Sequence, residues 1–184
     1  LATQCSVNLA ADAEMLDLMV RAGFYQVFLG IETPDEESLR LANKHQNAAV
    51  DLNEVCQTIS RAGLQIVAGC IMGFDHERPG ADLRLLQFAE RNAIPEMFVT
   101  LLQVGPGTDL WTRMQKEGRL IPESYHDHIG SQTGLINFVP TRPRDEIVHE
   151  FIHLYDVLYD PARFMRRTVE HLSRMRPRPY SKRH

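Results

Sequence analysis

No apolar run in this 184-residue sequence approaches the roughly 20 residues needed to cross a bilayer, and no basic, apolar, small-residue signal pattern opens it. Neither a membrane span nor a secretory leader is expected. Cysteine is scarce: Cys5, Cys56 and Cys70 are odd in number, widely spaced and set in apolar sequence, which excludes a disulfide framework and fits a reducing cytoplasm. A strong charge excess is lacking as well. With 20 Lys and Arg against 24 Asp and Glu, the formal net charge is -4 and gives no general electrostatic reason to expect a nucleic-acid partner. The exception is Arg163 to His184, where Arg163, Arg166, Arg167, Arg174, Arg176, Arg178, Lys182 and Arg183 are opposed only by Glu170. This segment reads as a solvated helix face followed by a frayed terminus, or else as a nucleic-acid or partner contact.

What is present is enough to build one substantial core, since 43% of the residues are hydrophobic and 24% charged. A unit recurs in which an amphipathic helix ends in glycine and an apolar strand follows. Met15, Leu16, Leu18, Met19 and Ala22 form the first stripe, Gly23 stops it, and Tyr25 to Ile31 is the strand. Asp51 caps the next helix, with Leu52, Val55, Ile59 and Ala62 inward, Gly63 stopping it and Gln65 to Met72 as strand. The repeat extends to identity at Arg21-Ala22-Gly23 and Arg61-Ala62-Gly63. A looser third copy places Leu83, Leu86, Phe88 and Ala89 on a helix broken by Pro95, before a strand from Met97 to Leu102.

These strands are nearly continuous apolar runs, which predicts parallel pairing with both faces covered. Thr3 to Val7 supplies one further strand. Strands alternating with helices imply an α/β fold, and the count of about four βα units predicts a partial (β/α) barrel, because a full eight-stranded barrel takes about 250 residues. The sequence opens on Leu1 in patterned sequence, so the rest of the barrel is expected upstream. Residues 1–120 form the barrel portion and 121–176 an extension that is irregular and then helical. Within it Leu135 to Val139 is a strand candidate, and helices are expected over Pro143 to Leu158 and Pro161 to Met175; residues 177–184 are expected to be disordered.

In parallel α/β architectures ligands bind at the carboxyl ends of the strands. The first apolar strand ends Gly30-Ile31-Glu32-Thr33-Pro34, offering a carboxylate able to grip a ribose hydroxyl or an ammonium group, or else to cap the following helix. The next ends Gly69-Cys70-Ile71-Met72-Gly73-Phe74-Asp75-His76-Glu77, where bare backbone can receive a flat ring or simply relieve crowding. The third runs through Leu102-Gln103-Val104 into Gly105-Pro106-Gly107-Thr108, with Thr108 as cap of a helix through Trp111, Met114 and Glu117 that stops at Gly118.

Taken in order, these strand ends resemble the radical S-adenosylmethionine superfamily, in particular the class that carries a cobalamin-binding domain. The resemblance covers roughly residues 1–120, and Asn137 to Pro143 resembles the extra C-terminal region of that class. It implies that an iron-sulfur cluster reduces S-adenosylmethionine to a 5′-deoxyadenosyl radical, with cobalamin a possible further cofactor. It also implies site residues: Glu32 near the ribose or amino group, Gly69, Ile71 and Gly73 as backbone shelf for adenine, Gln103 and Val104 closing over the ring, and Gln4 or Ser6 as polar contacts. The cofactor supplies the reactivity and the protein the placement. The Cys-x3-Cys-x2-Cys loop that holds a [4Fe-4S] cluster in that family has no counterpart here, so the ligands are expected outside this chain. The substrate, a small molecule, is not indicated.

Two rival readings remain. His149-Glu150-Phe151-Ile152-His153 satisfies the H-E-x-x-H zinc pattern, with Asp156, Asp160 or Glu170 as candidate third ligand of a hydrolase. Alternatively, the βα units are a non-catalytic assembly module. A half barrel with an unpaired edge is also expected to self-associate.

Overall fold

A computed structural model of the chain describes residues 1–41, 45–121 and 136–175. Strands β1 (Ala2–Cys5), β2 (Gln26–Glu32), β3 (Gln65–Met72) and β4 (Glu96–Leu101) form one sheet in sequence order, every neighbouring pair parallel. Helices α1 (Ala13–Arg21), α2 (Glu36–Leu41), α3 (His45–Ala48), α4 (Leu52–Ala62) and α5 (Ala81–Arg91) lie in the connections, followed by α6 (Asp109–Lys116), α7 (Arg144–Leu158) and α8 (Pro161–Arg174). This is an α/β partial (β/α) barrel with C-terminal helices.

Local chemistry sets the helix ends. Asp51 accepts from the amides of Asn53 and Glu54, Thr108 from that of Trp111, and Asp160 from that of Arg163, each satisfying an otherwise orphaned first-turn donor. Gly63 ends α4 at φ 104°, a left-handed conformation that costs a side chain about 1 kcal/mol or more. Asp35, not anticipated as a cap, accepts from the backbone and hydroxyl of Ser38 at 3.1 and 2.7 Å at the entry to α2.

Burial alternates along the strands, contrary to the expectation that both faces are covered. Val27, Leu29 and Ile31 of β2, Ile66, Ala68, Cys70 and Met72 of β3, and Met97, Val99 and Leu101 of β4 are buried. Their neighbours Phe28, Gly30, Gly69, Ile71 and Phe98 line an opposite face that is half-buried to exposed. A parallel sheet in a barrel has one side under helices and one towards the interior, and here the interior side is open.

Other sequence expectations need adjustment. The first strand ends at Cys5, and Val7–Ala11 is a 3-10 turn. Helix α5 ends before Pro95, where Asn92 folds its amide onto the Phe88 carbonyl at 3.0 Å; its inward face is Ala81, Leu85, Phe88 and Ala89, while Leu83 is exposed. Phe138 makes a lone antiparallel bridge with Leu120 instead of belonging to a strand. The candidate Leu135 and the predicted disordered 177–184 lie outside the described residues.

The extension shares the main core. Ile136, Phe138, Ile147, Leu154 and Leu158 join the same buried cluster as the strand residues, and the hydroxyls of Tyr155 and Tyr159 bridge to β4 through Val99 and Met97. The basic helix α8 is not simply a solvated face. Arg167 is 0% exposed. Its Nε donates to the Ile94 carbonyl at 3.0 Å, its Nη2 to the Leu158 carbonyl, and its Nη1 reaches Glu90 at 3.3 Å. Replacing Arg167 by Ala strands the Ile94 and Leu158 carbonyls, while Glu90 keeps Arg163 and Arg166, and is expected to cost about 2 kcal/mol. Arg163→Ala, at a half-exposed position, should cost less than about 1 kcal/mol; urea unfolding of the two variants checks the contrast.

Candidate functional site

Because all four strands are parallel, their carboxyl ends share one edge, which gathers Ser6, Glu32, Gly73, Gln103 and Val104 there. Gly69 and Ile71 lie along the open face of β3 leading to that edge, and Gln4, paired with Phe28, is exposed on β1.

The centre of that face is backbone. Gly30 and Gly69 pair in register across β2 and β3. A Cβ on Gly69 would lie 2.7 Å from the Phe28 ring, so the glycine is what allows that ring to lean across the sheet. Phe98, paired with Gly69 on the other side, approaches to 6.1 Å between ring centroids. Beyond the glycine pair the register of β2 shifts and Glu32 adopts φ 66°, a conformation costing a non-glycine residue about 1 kcal/mol. Its carboxylate curls back over Gly30, with Oε1 3.6 Å from where a Cβ would stand. Asn47 donates to the carbonyls of Gly30 and Ile31 at 2.8 and 3.1 Å, holding this irregular end in place.

Gly73 has a different setting. At φ 85° it faces the extension, where a Cβ would meet Ile136 at 3.2 Å and Ile147 at 3.4 Å. Its N–H donates to Glu77 Oε2 at 2.8 Å. Backbone conformation and packing therefore account for the glycine without any ligand. The Val104 side chain is buried, and its peptide is held on both sides by Asn137, which accepts from the N–H at 2.8 Å and donates to the carbonyl at 2.9 Å. A side-chain amide here does the work of a neighbouring strand.

The loop from Gly73 to Gly80 is tied on every side. Asp75 receives Arg119 through two nitrogens at 2.6 and 3.1 Å and Arg113 at 2.9 Å. The His76 N–H donates to Thr141 at 3.0 Å, Arg78 pairs with Asp35 at 2.8 Å, and the Gly80 N–H donates to Glu150 at 2.9 Å. Burial raises the Asp75 carboxyl, but the hydrogen bond and charge of Arg119 outweigh it and hold the group below the usual range. Glu77 goes the other way: burial pushes it up to about 7, against the Gly73 hydrogen bond.

The zinc reading is overturned by the same contacts. Glu150, which would activate water, is engaged by Arg142 at 2.6 and 3.2 Å and by the first amides of α5, while His153 Nδ1 lies 2.6 Å from Asp82. Among the described residues no three His, Cys, Asp or Glu side chains come together as metal ligands. The cysteines are separate and poor thiolates: burial pushes Cys5 to about 11, Cys56 to about 12 and Cys70 well above its ordinary value. An iron-sulfur cluster does not fit the described residues.

The sequence reading gave no role to Asp75, Asn47, Arg119 or Asn137. Each acts through a contact distant in sequence, and none carries a periodic or spacing signal.

With this geometry in place, comparisons with known proteins find two similar proteins. The chain is 47% identical over 165 residues to an uncharacterized methyltransferase of Synechocystis sp., an alignment covering 90% of this chain and 30% of that protein. It is 35% identical over 167 residues to hopanoid C-2 methylase of Rhodopseudomonas palustris, covering 91% and 30% respectively. Residues 108–184 match a domain of unknown function, DUF4070, whose start coincides with the Thr108 cap of α6. The chain thus spans 30% of the length of each of these curated relatives.

Two expected outcomes follow from the loop. Gly73→Ala, strained in φ and crowded by Ile136, should lower stability by about 1–2 kcal/mol, read from denaturant midpoints. Because the folded Glu77 carboxyl titrates above its ordinary 4.5, the native state holds its proton longer than the unfolded chain, and stability falls as pH rises from about 4.5 to about 7. Glu77→Gln keeps an acceptor for Gly73 and should flatten that decline, by on the order of 2–3 kcal/mol, in unfolding measured across the interval.

Proposed function

We propose that this chain supplies the adenosyl-binding side of a radical S-adenosylmethionine methyltransferase. The observation that carries the reading is the in-register pair Gly30 and Gly69 on the open sheet face, flanked by Phe28 and Phe98 and bordered by the Glu32 carboxylate. Gly69 makes room for the Phe28 ring, an adenine ring stacks on Phe28 and Phe98 beside Ile71, Glu32 takes the ribose or amino group, and Gln103 with the Val104 peptide closes the rim. Gln4 and Ser6 extend the polar border on β1. Gly73 acts by shaping the loop. When bound, S-adenosylmethionine supplies the 5′-deoxyadenosyl radical, and this chain's residues orient it and keep its ring dry. The similarity to proteins named as methyltransferases supports methyl transfer as the outcome.

On this reading a [4Fe-4S] cluster is held by cysteines outside the chain, and cobalamin serves as methyl carrier in the whole protein. The open interior face and the outer edge of β1 receive the remainder of the same barrel, which accounts for a sheet apolar on both sides yet covered on one. The substrate is a small molecule.

The test is equilibrium binding of S-adenosylmethionine to the full-length protein with its cluster reconstituted. Glu32→Gln and Gly69→Leu, both on the open face and outside the buried core, should each weaken binding by about tenfold or more, close to 1.4 kcal/mol. Unchanged affinity in both variants would sink the assignment of this face.

A further inference from the structure

Helix α8 is amphipathic in the reverse sense to an ordinary surface helix. Its inward residues are Arg167 and His171, both buried. Met165, Val169 and Leu172, spaced by four and three residues on the opposite side, are 56%, 61% and 63% exposed. A globular protein normally turns such a stripe towards its core. Here the buried guanidinium holds the polar side down, through Ile94, Leu158 and Glu90, and the apolar side is left facing out.

The charge beside that stripe is net positive, with Glu90 and Glu170 the carboxylates paired to its arginines. Arg163, Arg166 and Arg167 share the single carboxylate of Glu90. At the carboxyl end of the helix, Arg174 joins Arg61 and Arg91 around a cleft of ≈ 310 Å³ also lined by Gln57, Ser60 and Asn92. Arg174 donates there to the Arg91 carbonyl at 3.0 Å and also engages Glu170, and Arg61 donates to Gln57 at 3.1 Å. The sequence continues with Arg176, Arg178, Lys182 and Arg183.

We infer that α8 docks this protein onto an anionic lipid surface, with Met165, Val169 and Leu172 entering the interface and the flanking arginines meeting phosphate headgroups. An exposed apolar stripe beside a cationic flank is the arrangement that binds the headgroup boundary. Charge complementarity selects this occupant over a second copy of the chain. Two α8 helices packed about a two-fold axis bring their basic flanks together, and three side chains are far short of the roughly 800 Å² per partner that stable dimers bury. The contact lies on the surface only: among the described residues no helix is long and apolar enough to cross a membrane. The inference is independent of the methyl-transfer reading, because its test measures lipid binding and not activity.

The test is co-flotation of the full-length protein with phosphatidylcholine vesicles, with and without about one part in three of phosphatidylglycerol, at low and raised salt. The expected result is binding at least about tenfold tighter to the anionic vesicles, weakened by salt, and reduced about tenfold or more in Val169→Asp and in Leu172→Asp. Met165→Ser serves as a milder variant should either aspartate disturb folding, and Arg91→Gln with Arg166→Gln should weaken only the anionic component. Equal partition onto both vesicles, or binding indifferent to every stripe variant, would overturn the inference. So would a dimer in sedimentation that Val169→Asp dissolves, which would give the stripe to a second copy.

Discussion

The short loop after β3 is the point at which the whole carboxyl edge is fixed. Gly73 lies close under Ile136 and Ile147 at a positive φ that favours glycine, and Glu77 accepts from its N–H. From that fixed start Asp75 gathers Arg113 and Arg119 from the chain after β4, Arg78 reaches Asp35 from the chain after β2, and Gly80 meets Glu150 of α7. Loops at strand ends are ordinarily the mobile part of a barrel. Here three successive strand ends and the C-terminal extension converge on eight residues, so the edge is held by charged and hydrogen-bonded contacts that the sheet itself does not provide.

Those contacts oppose one another in pH. Asp35, Asp75 and Glu150 are each raised by burial and then drawn below the ordinary carboxylate range by hydrogen bonds, from Ser38, Arg119 and Arg142 respectively. Their contribution is present above about pH 4 and is lost in acid. Glu77, with the Gly73 amide as its hydrogen-bond donor, is the dissenting group, favouring the folded state most where it is protonated. The neutral range is thus a compromise in which three carboxylates are fully engaged and a fourth carries its charge at a cost.

Local signals carried far into the fold. The Asp51 cap, the Gly63 stop and the strand from Gln65 to Met72 are where spacing put them, because each depends on contacts within a few residues. The same holds for α6 and its Thr108 cap. What periodicity could not show is which apolar face finds a cover: Phe28 and Leu29 look alike in sequence, but Leu29 is buried beneath helices and Phe28 stands over Gly69 on the open side. The site was legible to the same limit. Parallel pairing brings Glu32, Gly73 and Gln103 to one edge, whereas the opposite orientations of Gly69 and Gly73, one towards the open face and one towards the extension, emerge only in three dimensions.

Helix α8 shows why composition alone misleads at the C-terminal end. Many arginines in a short stretch argue for solvent, and Arg163 and Arg166 do face it. A single arginine facing inward, with carbonyls at Ile94 and Leu158 and a carboxylate at Glu90 to satisfy it, reverses the meaning of the pattern. Burying a guanidinium is expensive unless its donors are met, and a helix fixed in that orientation cannot also bury Met165, Val169 and Leu172. Satisfying Arg167 and exposing the apolar stripe are therefore one structural decision, and any partner of the stripe depends on that buried charge as much as on the three side chains it touches.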